Sequence, residues 1–188
     1  MSFKISKAHP LKKLFNLLVE RNFREALGWP EPSVMGYLSN LLTDFTHIDN
    51  VYKIKSAQGK RLEEVAEMLL EGDMMHRASS FDREREVHKH IGDYTLFMTG
   101  IFPEYLNRLR ESPGLASADA LLDYVRTGKR SYYIVSEFIY GPYGDTAPLF
   151  RKLSDNFELC IFGLSYVRKD LDRLRNPALR KVMGILLD

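Results

Sequence analysis

The stretch FDREREVHKHIGDYTLFMTGIFPE, residues 81–104, decides the fold. Placed on a helical wheel, Val87, Ile91, Tyr94 and Met98 fall on one apolar stripe, the spacing of an amphipathic helix. Ser79 or Ser80 stands ready to cap its first turn, and Asp82 and Glu84 lie where the helix dipole favours negative charge. The helix is expected to run to Thr99 or Gly100. Phe102-Pro103-Glu104 then starts a shorter one, because a proline at the first helical position gives up no hydrogen bond.

Working toward the N-terminus, the same period recurs. Pro10 opens a helix whose stripe is Leu11, Leu14, Phe15, Leu18, Val19 and Phe23, and Gly28 ends it. Trp29-Pro30-Glu31-Pro32 is a stiff connection, since a residue ahead of a proline is pushed out of the α region. A second helix from Pro32 carries Val34, Tyr37, Leu38, Leu41, Leu42 and Phe45. Residues 49–56 alternate enough to permit a short strand, but no partner strand is in sight, so an extended or loop segment is expected. After Gly59 the pattern of Leu62, Val65, Met68 and Leu69 predicts a helix to Glu71.

Toward the C-terminus, Ser112-Pro113-Gly114 is a loop. Ser117 is the expected cap of a helix that passes Gly128 and carries Tyr132, Val135, Phe138 and Ile139. Gly141-Pro142-Tyr143-Gly144 is a turn. Asp145 is the expected cap of the longest helix, reaching Arg175, with Leu153, Phe157, Cys160, Leu164, Val167, Leu171 and Leu174 in alternating steps of four and three. Such a heptad seam serves either a coiled coil with a second chain or the centre of an intrachain bundle. In a chain this rich in helices the bundle is preferred, which predicts Leu164 buried within its own chain. Asn176-Pro177 begins a last short helix. The whole reads as an all-α, single-domain bundle of about seven helices, more than half helical and without a substantial sheet.

Composition narrows the function less than the fold. The 188 residues include 27 basic and 25 acidic side chains, a net charge of +2, which gives no general pull toward nucleic acid or anionic lipid. No apolar run approaches the roughly 20 residues of a membrane span. The N-terminal lysines precede no signal-type apolar core, and the lone Cys160 forms no intrachain disulfide, so a cytoplasmic location is expected. A homodimer through the heptad seam is the partner the sequence permits.

No phosphate-binding glycine loop, CxxC, GxSxG or HExxH occurs. The best chemical candidates are Glu84 and His88, at i and i+4 on the inward stripe with Tyr94 further along it. A buried carboxylate needs a partner, with His88, Arg61 or Arg130 as candidates. The pair reads either as a structural contact or as part of a metal or acid–base site, although it supplies only two of the three or four protein ligands that zinc takes. Glu86 and His90 form a second such pair on another face, and Asp93 points nearly opposite the stripe. Di-iron bundles place ExxH pairs on two helices, and these are missing. Gly92 and Gly100 interrupt a strong helix and imply close packing of a neighbour. Arg130 with Tyr133, beside Lys129 and Tyr132, offers a basic and aromatic face of the kind that binds phosphate or bases. Cys160 lies on the seam and reads as a small buried side chain, not a nucleophile.

Three segments carry a resemblance: VHKHIGDYTLFMTGIFPE at 87–104, GKRSY at 128–132 and LSDNFELCIFGLSYVR at 153–168, together touching about the C-terminal half. The chain resembles a family of bacterial all-helical proteins of unknown function. The resemblance implies a helical fold and no substrate, cofactor or catalytic residue. The leading functional expectation is therefore a non-enzymatic interaction or regulatory module. The alternatives are a metal- or small-molecule-binding helical enzyme around Glu84 and His88, and a weak nucleic-acid binder using Arg130 and Tyr133.

Overall fold

The computed structural model describes residues 9–111 and 123–174. Helix takes 73% of them, so the all-α expectation holds. The α-helices are α1 (Pro10–Arg21), α2 (Pro32–Asp44), α3 (Ile48–Val51), α4 (Val65–Gly72), α5 (Phe81–Ile101), α6 (Pro103–Glu111), α7 (Tyr124–Ser136), α8 (Ala147–Asp155) and α9 (Phe157–Arg173). A wide π turn, Asn22–Ala26, extends α1. No strand is formed among the described residues; a lone antiparallel bridge joins Lys55 to Arg61.

That bridge corrects one expectation. The helix foreseen directly after Gly59 begins only at Val65, because the backbone of 54–62 folds back on itself. The Leu62 N–H donates to Ile54 O at 2.9 Å and the Ser56 N–H to Lys60 O at 2.7 Å, around Gly59 at φ 83°. The second correction is the split of the expected long helix into α8 and α9. Asn156 leaves the helical region at φ −116°, ψ 30°, and its amide side chain donates to Lys152 O at 3.0 Å, closing the end of α8. The residue before α8 is Thr146, not Asp145, and it makes no side-chain cap. The split, with the single turn of α3, gives nine α-helices among the described residues where about seven were expected. The expected helix starts at Ser117 and Asn176-Pro177 lie outside the described residues. The helix through Gly128 is described from Tyr124, where the Asp123 carboxylate accepts the Arg126 N–H at 3.0 Å, and it ends at Ser136, short of Ile139.

The seam survives the break. Leu153, Phe157, Cys160, Leu164, Val167 and Leu171 are all buried, Leu164 completely and within its own chain, whereas Leu174, the last expected position, is 58% exposed just past the end of α9. Burial pushes the Cys160 thiol up to about 12, so it stays protonated at neutral pH. The hub of the bundle is α5, which packs against α2, α4, α6, α7 and α9. From Val87 on, most of its side chains are buried on every side, as befits a helix surrounded by others. The glycines foreseen as packing positions are that: a Cβ on Gly92 would stand 2.5 Å from the ring of Tyr132, and one on Gly100 would stand 2.7 Å from Leu164 Cβ. No described helix is long and apolar enough to cross a membrane.

Candidate functional site

The central helix buries charge as well as apolar surface. Lys89 and Asp93, one turn apart on α5, pair at 2.7 Å between Nζ and Oδ2, with the Asp93 side chain almost wholly buried. The other oxygen, Oδ1, accepts the hydroxyl of Tyr132 from α7 at 2.8 Å and the hydroxyl of Tyr37 from α2. The Lys89 ammonium also lies 5.1 Å from the centre of the Tyr37 ring, a cation–π contact. Three helices thus meet on one carboxylate.

The electrostatics follow from this geometry. Burial pushes the Asp93 carboxyl up, but the ammoniums of Lys89 and Lys53 and the hydrogen bonds from Lys89 and Tyr37 outweigh it and hold the group below the usual carboxylate range. Burial likewise works against the Lys89 charge, and Asp93 overcomes it, holding the ammonium above an ordinary lysine. Burial, then the Asp93 charge, raises the phenols of Tyr37 and Tyr132, so both remain donors.

Beside this pair a recess of about 90 Å³ opens between α2, α3 and α5, lined by Tyr37, Asp44, Asn50, Lys53, Lys89 and Asp93 among others. Asn50 and Lys53 also line a shallower groove of about 440 Å³ that holds Lys55, Arg61 and Glu86. Backbone contacts fix the segment that carries them. The Asn50 amide donates to Asp44 O at 2.8 Å, and the His90 ring on α5 meets Val51 O at 3.0 Å through Nε2. Asp44 and Lys53 face the recess, and neither side chain makes an ion pair or hydrogen bond among the described residues. Lost hydration raises the Asp44 carboxyl; the Lys89 and Lys53 charges oppose the rise and Asp93 adds to it. Lys53 is exposed as a whole, yet lost hydration lowers its ammonium; Asp93 opposes this and Lys89 acts with it.

The residues singled out in the sequence fall in five separate places. Glu84 is half-buried and makes no ion pair with His88, Arg61 or Arg130. Phe81 and Asp82 in the same turn are exposed, so the inward stripe is not yet enclosed there. Glu84 lines a surface groove with Phe81, Phe138 and Tyr140 instead. His88 is buried and turns to α7, its Nδ1 3.3 Å from Ser131 Oγ; burial, then the nearby Arg130 charge, brings it down to about 4. Arg61 is engaged by Asp49 at 2.8 Å. Tyr94 is fully buried among the rings of Tyr52, His90 and Tyr124. Arg130 and Tyr133 do come together, in a shallow pocket of about 470 Å³ with Arg126 and Glu158, and Arg151 stacks over the Tyr133 ring at 4.7 Å.

The sequence reading missed Lys89, Asp93, Tyr37, Asp44 and Lys53 as a group. A signal was present: Lys89 and Asp93 are an i, i+4 ion pair on a helix that is otherwise apolar in its second half. Among the described residues no three His, Cys, Asp or Glu side chains are grouped to hold a metal ion. No protein-family model, curated protein or solved structure matches the chain.

Proposed function

We propose that the protein binds a small zwitterionic metabolite, of the amino-acid type, in the recess between α2, α3 and α5. The observation that carries this reading is the pair of unpartnered, opposite charges, Asp44 and Lys53, lining one recess of about 90 Å³. Lys53 takes the ligand carboxylate and Asp44 its ammonium. Both protein groups are shifted toward their neutral forms, Asp44 up and Lys53 down. A ligand bearing the complementary charges restores what each lost in hydration. The Lys89–Asp93 pair and its two tyrosines form a rigid wall behind them, so the site is shaped before the ligand arrives. The buried, protonated Cys160 suits a reducing cytoplasmic setting for such a receptor.

The test is calorimetric titration with free amino acids, each run beside its N-acetyl and methyl-ester forms. Binding of a free form, lost when either charge is blocked, is the expected result. Lys53→Met and Asp44→Asn should each lower affinity by about tenfold or more, the factor that corresponds to about 1.4 kcal/mol. Equal binding of the blocked forms, or no binding by any, overturns the reading.

One observation favours a second reading. An acid raised and a base lowered toward neutrality in one recess is the arrangement that proton-transfer enzymes use. Mass analysis of the bound ligand after incubation separates the two: an unchanged ligand leaves a receptor, a changed one makes Asp44 and Lys53 an acid–base pair.

A further inference from the structure

The groove at the start of α5 is built from ring faces and one uncommitted carboxylate. Phe81 and Glu84 contribute from α5; Phe138, Tyr140 and Tyr143 come from the segment that links α7 to α8. The open groove they line has a volume of about 550 Å³. Phe81 is 68% and Tyr140 83% exposed, an unusual amount of aromatic surface to leave in water. The rings of Phe138 and Tyr143 stand at 84° with centroids 6.4 Å apart, an edge-to-face pair that braces this side of the groove. Tyr143 already accepts one cation on its ring, the Arg85 guanidinium at 4.0 Å.

Charge decides the ligand class. Asp82 accepts the Tyr143 hydroxyl at 2.8 Å, and Glu137 lies 3.7 Å from Arg151. Glu84 alone of the three carboxylates in the groove has no partner among the described residues. Aromatic faces with a nearby carboxylate attract an organic cation. Ammonium and guanidinium groups hold water through their three and five N–H donors and must shed some of it to lie against rings. A cation with no N–H loses nothing there.

We propose that this groove is a second binding site, selective for a trimethylammonium group held against Phe81, Phe138, Tyr140 and Tyr143 with Glu84 as its counter-charge. The site shares no lining residue with the recess at Lys53: α5 contributes Phe81 and Glu84 to the groove, and Lys89 and Asp93 to the recess. Lost hydration and the charge of Asp73 raise the Glu84 carboxyl, and a cation in the groove relieves both. Two sources supply such a group, a free quaternary ammonium metabolite or a trimethylated lysine on a protein.

Titrations followed by NMR test it, with choline, with a trimethyllysine peptide, with the same peptide unmethylated, and with the neutral isostere 3,3-dimethylbutan-1-ol. Saturable shifts are expected for choline or the methylated peptide, with a preference of about tenfold over the neutral and unmethylated probes. The stronger of the two identifies the source. Glu84→Gln and Tyr140→Ala should each weaken binding several-fold, while Lys53→Met leaves it unchanged. The inference fails if the neutral isostere binds as well as choline, or if no probe does more than matched sodium chloride. A loss of choline binding in Lys53→Met as large as in Glu84→Gln overturns it too, by showing that the site is elsewhere.

Discussion

The ring of Tyr132 occupies the place where a side chain on Gly92 would have to stand: a Cβ there would lie 2.5 Å from two of its ring carbons. The contact sets α7 against α5 closely enough for the Tyr132 hydroxyl to reach the next residue, Asp93, at 2.8 Å. The absence of one methyl group and the placement of one hydrogen bond are thus a single feature.

Gly92→Ala should therefore destabilise the fold by about 1–3 kcal/mol, the usual range for overpacking. Gly36 is the control. It lies in the interior of α2, and a Cβ there would meet nothing within 4 Å, so Gly36→Ala should stabilise by up to about 1 kcal/mol through helix propensity alone. Urea denaturation of the two variants should move in opposite directions. Equal midpoints would mean that α7 can shift away from α5 without penalty.

The Lys89–Asp93 pair supplies the second expectation. Asp93→Asn removes the carboxylate that Lys89 is hydrogen-bonded to and leaves Asp44 as the nearest counter-charge, so the loss should approach the lower end of the range of about 3–5 kcal/mol typical of a broken buried pair. Lys89→Met strands the carboxylate, but the two tyrosine hydroxyls still hold it, so the loss should be smaller. The double variant Lys89→Met/Asp93→Asn should be more stable than the sum of the single losses implies. Denaturant titrations of the four proteins measure the coupling. Strict additivity would show that the two groups do not depend on each other.

How much of this was legible follows from where each signal resides. Periodicity found α1, α2, α5 and α6 because their stripes and prolines are local, and Ser80 does cap α5, accepting the Arg83 N–H at 3.1 Å. The break at Asn156 was hidden because the seam runs through it without a missed step. The site was hidden for a different reason. A wheel assigns one inward face, and α5 has neighbours on several. Asp93, read as opposite the stripe, and His90, read on another face, are buried at 3% and 0% exposure against α2, α7 and the α3 segment. Glu84, read as inward, sits in a first turn that the bundle does not enclose. No spacing within α5 encodes Tyr37 or Tyr132, which lie 56 and 39 residues away from Asp93.

Buried histidines make the fold sensitive to acid. Lost hydration lowers His88 from 6.5 to about 4 and His90 to about 3. Between those values and 6.5 the unfolded chain binds protons that the folded chain refuses, so stability rises with pH across this window and is lost as pH falls below 6.5. At about 1.4 kcal/mol per pH unit for each group, pH 4.5 should lie about 5 kcal/mol below pH 7 in stability. Asp93, held below its ordinary value, adds a loss only at still lower pH. Replacing His88→Gln should remove roughly half of the slope between pH 6.5 and 4.5. An unchanged slope would mean that His88 accepts a proton in the folded state.

Glu84 gives the opposite sign. Its carboxyl is raised above 4.5 by lost hydration and by the Asp73 charge, and no cation near it compensates. The folded chain therefore binds this proton more readily than the unfolded chain, and in the interval just above 4.5 the group gains stability as pH falls. At pH 7 the ionised side chain is slightly unfavourable. Glu84→Gln should accordingly be neutral or stabilising at pH 7, within about 0.5 kcal/mol as for most surface changes. The variant should also lack the small gain on mild acidification. Asp170 is the comparison, a carboxylate that accepts from Arg21 at 2.5 Å and from Asn22 at 2.8 Å. Burial raises it, but those hydrogen bonds and the Arg21 charge bring it below the ordinary value. Asp170→Asn should cost about 1–3 kcal/mol at pH 7, the range for stranding buried hydrogen-bonding groups. Measuring both variants by urea denaturation at pH 7 and pH 5 distinguishes a carboxylate that holds the fold from one left free for a ligand. A loss in Glu84→Gln as large as that in Asp170→Asn would show that Glu84 is spent on structure and has no charge to offer the groove.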